Sequence, residues 1–92
     1  MLFRSEFYEL YLSIAKDAGD KVGEGKAYCN LGNVYYSLGD LQKADKYHQL
    51  CLRIAKNVGD KVVEGKTYAG LGHIRVRLGD FEKAVEDRKS VV

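Results

Sequence analysis

Apolar residues recur along the chain at intervals of three and four, the spacing of one face of an amphipathic helix. In the middle of the chain they are Ala27, Tyr28, Leu31, Val34, Tyr35, Leu38, Leu41, Ala44, Tyr47, Cys51, Ile54, Ala55 and Val58. The pattern predicts five antiparallel helices, over residues 2–18, 22–38, 41–58, 62–78 and from 81 to the C-terminus. Proline is absent while there are ten glycines, a composition that favours helices closed by glycine caps.

A Gly-Asp pair stands at each predicted break between helices. Glycine readily takes the left-handed conformation that ends a helix, and aspartate is a strong N-cap for the next one. The four pairs are Gly19-Asp20, Gly39-Asp40, Gly59-Asp60 and Gly79-Asp80. Two further glycines, Gly32 and Gly72, fall inside predicted helices, where each costs about 1 kcal/mol relative to alanine. We expect close approach of a neighbouring helix to offset that cost.

The chain repeats itself with a period of forty residues. Aligned without a gap, residues 11–50 and 51–90 share nineteen identities, which is far beyond chance. We therefore divide one domain, residues 1–92, into a half-repeat (1–20), a repeat (21–60) and a repeat truncated at its C-terminus (61–92). Because repeat arrays generally need about three units for stability, we expect a fragment of a longer array.

The first predicted helix matches the second helix of a repeat whose first helix is missing. It carries a set of large apolar residues that one neighbouring helix cannot cover, namely Phe3, Phe7, Tyr8, Tyr11 and Ile14. We therefore expect an exposed apolar edge, which either drives self-association or packs against further repeats.

Composition excludes several classes of protein. The chain is 46% hydrophobic and 30% charged, as in soluble globular domains, and its net charge of +2 does not argue for a nucleic-acid partner. Charged residues interrupt every apolar stretch, so neither a signal peptide nor a membrane span is expected. Cys29 and Cys51 are too few for a disulfide framework and lack zinc-ligand spacing, which favours reduced thiols and a cytoplasmic location.

Catalytic and cofactor sites find little support. The segment from Gly59 to Thr67 ends in Gly-Lys-Thr, but five residues separate its glycines where a phosphate-binding loop needs four. The histidines, His48 and His73, align with non-histidine residues, and we expect them to be solvated or at a groove edge rather than metal ligands. Cys51 is expected to be buried and inert. We predict no enzymatic activity, no metal site and no cofactor.

Five residues of the first full unit, Tyr28, Leu31, Gly32, Tyr35 and Ala44, resemble the tetratricopeptide repeat pattern. The second unit departs from it, with an arginine at position 75 in place of the second tyrosine. The forty-residue period exceeds the usual value of about thirty-four and resembles the long-repeat subclass seen in Pins and G-protein-signalling-modulator adaptors and in multi-repeat scaffolds.

The resemblance implies a right-handed α-solenoid of helical hairpins, whose first helices line a concave groove that binds extended peptides. The exposed positions on those helices are Lys26, Cys29, Asn30, Asn33, Tyr36, Ser37, Lys66, Ala69, His73, Val76 and Arg77. None of them is acidic, and none is needed for the apolar face. An amide at Asn33 suits main-chain groups, while the cations suit carboxylates.

These positions predict a non-catalytic scaffold that binds an extended, acidic segment of a partner protein. Glu24 and Glu64 lie near enough to neutralise part of the positive charge, so the lysines are also compatible with a merely solvated helix face. His73 stands where the first unit has Asn33, which implies pH-sensitive binding. The alternative function is a structural or self-assembly fragment with no ligand of its own.

Overall fold

Four α-helices make up the computed structural model, which describes residues 3–90 and, of the side chains beyond Asp80, only Glu82. They are α1 (Arg4–Ala18), α2 (Lys21–Leu38), α3 (Leu41–Val58) and α4 (Lys61–Ser90). Each helix packs against the next along the chain, and no strand forms between residues 3 and 90. The predicted all-α class is confirmed, and the predicted bounds of α2 and α3 agree with the structure to within one residue.

Three of the four predicted Gly-Asp turns form. Gly19, Gly39 and Gly59 end α1, α2 and α3 with left-handed φ angles of 70°, 83° and 75°. The following aspartate then caps the next helix, its Oδ1 accepting a backbone N–H three residues on. The backbone N–H of Gly23 donates to Asp20 at 2.9 Å, that of Lys43 to Asp40 at 3.1 Å and that of Val63 to Asp60 at 3.1 Å.

The fourth predicted turn is wrong. Gly79 and Asp80 lie inside α4, which continues to Ser90, so the predicted fourth and fifth helices are one helix. The physical reason is packing. Helix α3 folds back at Gly39 and is covered on two sides, by α2 and by α4. At Gly79 a continued helix keeps its backbone hydrogen bonds without needing a turn.

The core lies along α2 and α3. Its fully buried side chains include Leu31 on α2, Cys51 on α3 and Ile74 on α4. Successive units also repeat a surface contact. The Lys16 Nζ lies 5.6 Å from the centre of the Tyr28 ring, and forty residues later the Lys56 Nζ lies 5.4 Å from that of Tyr68. The α1–α2 and α3–α4 junctions therefore share this contact.

The two mid-helix glycines differ in their surroundings. A Cβ on Gly32 would lie 2.7 Å from the His48 Cδ2 atom, so the expected close approach of a neighbouring helix is confirmed there. A Cβ on Gly72 would meet nothing within 4 Å, and the expectation is wrong at that position. The reason is that α3 covers Gly32, while no described helix covers the corresponding face of α4.

Candidate functional site

A cavity of about 210 Å³ lies between the first helices of the two units and is called here the groove pocket. Asn33 and Tyr36 line it from α2, and Ala69, Gly70 and His73 line it from α4, while His48 of α3 also contributes to its wall. Four of these residues, Asn33, Tyr36, Ala69 and His73, were singled out by the sequence. The structure brings them together from positions up to forty residues apart.

His48 was expected to be solvated or at a groove edge. It lines the groove pocket, but its side chain is only 3% exposed, so the expected solvation is wrong. The imidazole fits between α2 and α4 because each helix has a glycine beside it: a Cβ at Gly70 would lie 3.2 Å from the His48 Cε1 atom, and one at Gly32 would be closer still. The sequence signal for the burial of His48 was a glycine on each of the two neighbouring helices. The periodicity did not show that both glycines lie against His48.

The buried imidazole of His48 is incompletely satisfied. Its Nδ1 atom is buried and has no hydrogen-bond partner among the described residues. Buried polar atoms normally have such a partner, because losing water without compensation costs free energy.

Arg77 places a positive charge at one side of the groove. Its guanidinium carbon lies 4.8 Å from the centre of the Tyr36 ring, a cation–π contact that joins α4 to α2. Tyr36 lines the groove pocket. An exposed cation is therefore held next to a wall of the pocket.

The remaining candidate residues do not line the groove pocket. Lys26 lines a smaller cavity with Val22 and Ile54, and Ser37 lines one beside Phe3. Asn30 is half-buried, and Lys66 and Val76 are exposed. Cys29 is partly buried and packs against the core cluster of Tyr28, Cys51 and Ile54. The expectation that Cys29 takes no part in apolar packing is therefore wrong, because its position borders α3 as well as the groove.

The acidic residues near the groove have other partners. Glu24 pairs with Lys21 at 3.4 Å and Glu64 with Lys61 at 3.5 Å, each within the first turn of its own helix. Within the described residues, Lys26, Lys66 and Arg77 form no ion pair. Glu24 and Glu64 therefore form ion pairs with first-turn lysines rather than with Lys26, Lys66 or Arg77.

Two thiols lie below the groove. Cys51 is fully buried, and its Sγ lies 3.5 Å from the Thr67 Oγ1 atom. Side-chain hydrogen bonds with Cys51 and His48 lower the pKa of the Cys29 thiol. The side-chain hydrogen bond between Cys51 and Cys29, together with burial, raises the pKa of the Cys51 thiol. In the part of the chain that the structure describes, no three His, Cys, Asp or Glu side chains are grouped to hold a metal ion.

Antiparallel helices stacked in sequence, with a groove between the first helices of successive units, define a helical-repeat scaffold for protein–protein interaction. The chain belongs to the tetratricopeptide repeat family, whose model matches residues 6–87. Members of this family are interaction modules rather than catalysts.

Three curated relatives share one stretch with the chain. They are proteins called G-protein-signaling modulator 1 from Mus musculus, Rattus norvegicus and Homo sapiens, each 52% identical over 40 residues. The matched stretch covers 44% of this chain and 6% of each relative. The chain thus spans a small part of the relatives' length, and the similarity concerns one repeat unit.

None of the helices within residues 3–90 combines the length and apolar character needed to cross a bilayer.

Proposed function

We propose that the chain is a non-catalytic scaffold that binds an extended, acidic segment of a partner protein in the groove between α2 and α4. The observation that carries this proposal is the groove pocket, which joins residues of three helices and has the buried His48 in its wall. A pocket of this form suits one side chain or main-chain group of an extended peptide. A small number of convergent polar groups is enough to fix the orientation of the bound group.

Each polar group in the groove has a distinct part in recognition. The Asn33 amide offers both a donor and an acceptor, which match the main chain of a peptide. Arg77 at the pocket wall attracts carboxylates, and Lys26 and Lys66 extend the positive surface along α2 and α4. Together they select an acidic peptide over a basic one.

The experiment that tests this proposal is a titration of fluorescently labelled Glu-rich and Lys-rich peptides, followed by anisotropy at low and moderate salt. Wild-type protein is compared with the Lys26→Glu/Lys66→Glu variant. A matched control, Lys46→Glu/Arg53→Glu, makes the same change of charge at exposed positions of α3. We expect saturable binding of the Glu-rich peptide, weakened by salt, lost in the groove variant and kept in the control.

Three results contradict the proposal. One is binding of neither peptide while circular dichroism shows an intact fold. Another is equal binding of the Lys-rich peptide, which would remove the electrostatic selection. The third is equal loss of binding in the groove variant and in the control, which would mean that net charge matters and the groove does not.

The relatives suggest the setting in which such a scaffold works. Their name describes modulation of G-protein signalling, and they are 52% identical to this chain over 40 residues. We therefore propose an adaptor role in signalling. Both described cysteines are free thiols, which supports the proposed cytoplasmic location.

A second candidate function is self-association through the ends of the helical array. The observation that favours it is the exposure of Phe3, Phe7, Leu10, Tyr11 and Ile14 on α1. Exposed apolar groups clustered on one helix commonly mark an interaction surface. A molar mass that rises with protein concentration is the expected result, and a constant mass of 10.3 kDa would contradict it.

A further inference from the structure

Cys29 stands between two glycines on one face of α2. Gly25 lies one turn before it and Gly32 one turn after it, the spacing at which residues of a helix share a face. A Cβ at Gly25 would lie 3.0 Å from Ile54 of α3, and one at Gly32 would lie 2.7 Å from His48 of α3. The two helices therefore approach each other closely on both sides of Cys29.

The α3 residues that meet those glycines flank Cys51 in the same way. His48 precedes Cys51 by three residues and Ile54 follows it by three, so the three side chains share a face of α3. The two glycine contacts thus place Cys29 opposite Cys51. In agreement, Cys29 packs against the cluster that contains Cys51, and the two thiols are hydrogen-bonded to each other.

Close approach of the helices matters because a disulfide needs its two Cα atoms within about 7 Å of each other. The axes of packed helices usually lie about 8–10 Å apart, depending on the side chains at the contact. A glycine on each side of Cys29 shortens that separation at the level of the two thiols. The packing of α2 on α3 therefore favours a bond between them.

We propose that Cys29 and Cys51 are an oxidation-sensitive thiol pair, which hydrogen peroxide converts into a disulfide within one chain. The two thiols differ in access. Cys29 is half-buried, whereas Cys51 has no exposed surface. Peroxide therefore reacts at Cys29, and Cys51 reacts with the product.

The oxidation takes two steps. First, the Cys29 thiolate attacks one oxygen of the peroxide, the O–O bond breaks, and the products are a sulfenic acid and hydroxide, which takes up a proton to become water. The Cys51 sulfur then attacks the Cys29 sulfur, so that an S–S bond forms and the S–O bond breaks. The hydroxyl group leaves with the Cys51 proton as water. Two thiols and one peroxide thus give one disulfide and two waters.

The hydrogen bonds around the pair support this order of events. Side-chain hydrogen bonds with Cys51 and His48 lower the pKa of the Cys29 thiol, which favours the nucleophilic thiolate. The hydrogen bond with Cys29, burial and the negative charge of Cys29 raise the pKa of the Cys51 thiol. A neutral sulfenic acid at Cys29 removes that charge, so Cys51 ionises more readily once the first step is complete.

Mass spectrometry tests the proposal on the folded wild-type chain. The chain is treated with hydrogen peroxide, the remaining thiols are capped with N-ethylmaleimide in urea, and part of the sample is digested. We expect a single chain lighter by two hydrogen atoms, without a maleimide adduct, and a digest in which Cys29 and Cys51 are joined. Dithiothreitol should restore both thiols. In Cys51→Ala, the sulfenic acid at Cys29 should persist and react with dimedone.

The matched control is Cys29→Ala/Ser37→Cys, which moves one thiol about 12 Å along α2 to an exposed position. With its fold checked by circular dichroism, it should form no disulfide within the chain. Three results would overturn the proposal. They are a peroxide-treated wild type in which Cys51 still takes up maleimide, disulfides that form only between chains, and a control that forms the internal disulfide as fast as wild type. The first two are read from wild type alone, whether or not the variants fold.

Discussion

His48 fills the gap between α2 and α4 because neither neighbouring glycine has a side chain. Gly32 lies against its Cδ2 atom and Gly70 against its Cε1 atom. The imidazole thereby connects the packing of three helices to the groove pocket that it lines. A residue that is unremarkable in the sequence pattern is central to both the core and the candidate site.

The repeat supplies a matched pair of glycines to test this packing. Gly32→Ala should destabilise the fold, since the new Cβ would crowd the His48 ring and overpacking typically costs about 1–3 kcal/mol. Gly72→Ala adds the same methyl group where nothing lies within 4 Å, and should stabilise the helix by up to about 1 kcal/mol. Urea unfolding of both variants measures the difference. Equal changes in the free energy of unfolding would contradict the role given to His48.

The thiols should differ in reactivity. Hydrogen bonds lower the pKa of the Cys29 thiol below its ordinary value of 9.0, which favours its thiolate form. Cys51, with a raised pKa and no exposed surface, stays protonated. Because the thiolate is the nucleophile, iodoacetamide should alkylate Cys29 first as pH rises, as mass spectrometry of digested samples would show. Both thiols should react alike in urea, and faster labelling of Cys51 in the folded chain would contradict this order.

At the scale of elements, the same two-residue signal gives a turn in one unit and continuous helix in the next. Gly39-Asp40 reverses the chain, whereas Gly79-Asp80 lies inside α4. The difference follows from packing, because α3 gains cover from two helices when it folds back. The local sequence therefore permits a turn, and tertiary contacts decide whether one forms.

Alanine at these two glycines should change stability in opposite directions. Gly39 has a φ of 83°, which costs an alanine about 1–2 kcal/mol. Gly79 lies within a helix, where alanine gains about 1 kcal/mol over glycine. Thermal unfolding should thus show a lower Tm for Gly39→Ala and a higher one for Gly79→Ala. A lower Tm in both variants would indicate that α4 breaks at Gly79.

At the scale of the whole molecule, the sequence predicted those features that depend on local pattern. The forty-residue period, the Gly-Asp caps and the helical spacing indicated the fold class and the bounds of α2 and α3. Four of the residues lining the groove pocket followed from the exposed face of the first helices. Their agreement with the structure reflects helix geometry, which is set by neighbours in sequence.

The features that sequence reasoning missed depend on contacts between distant residues. His48 is buried because Gly32 and Gly70 lie on either side of it, and no periodicity links those three positions. Lys26 lies on the expected helix but lines another cavity, since the end of α3 is beside it. The sequence pattern determines which residues share a helix face, and the neighbouring helices determine which residues that face contacts.

Binding of a partner segment in the groove between α2 and α4 is tested most directly by a titration of ¹⁵N-labelled chain with the Glu-rich peptide, followed by two-dimensional NMR. Saturable shifts are expected for the backbone amides of Asn33, Ala69 and His73, while the amides of Leu10 and Ile14 on α1 should stay unchanged. Shifts centred on α1, with the groove amides unmoved, would contradict binding in the groove.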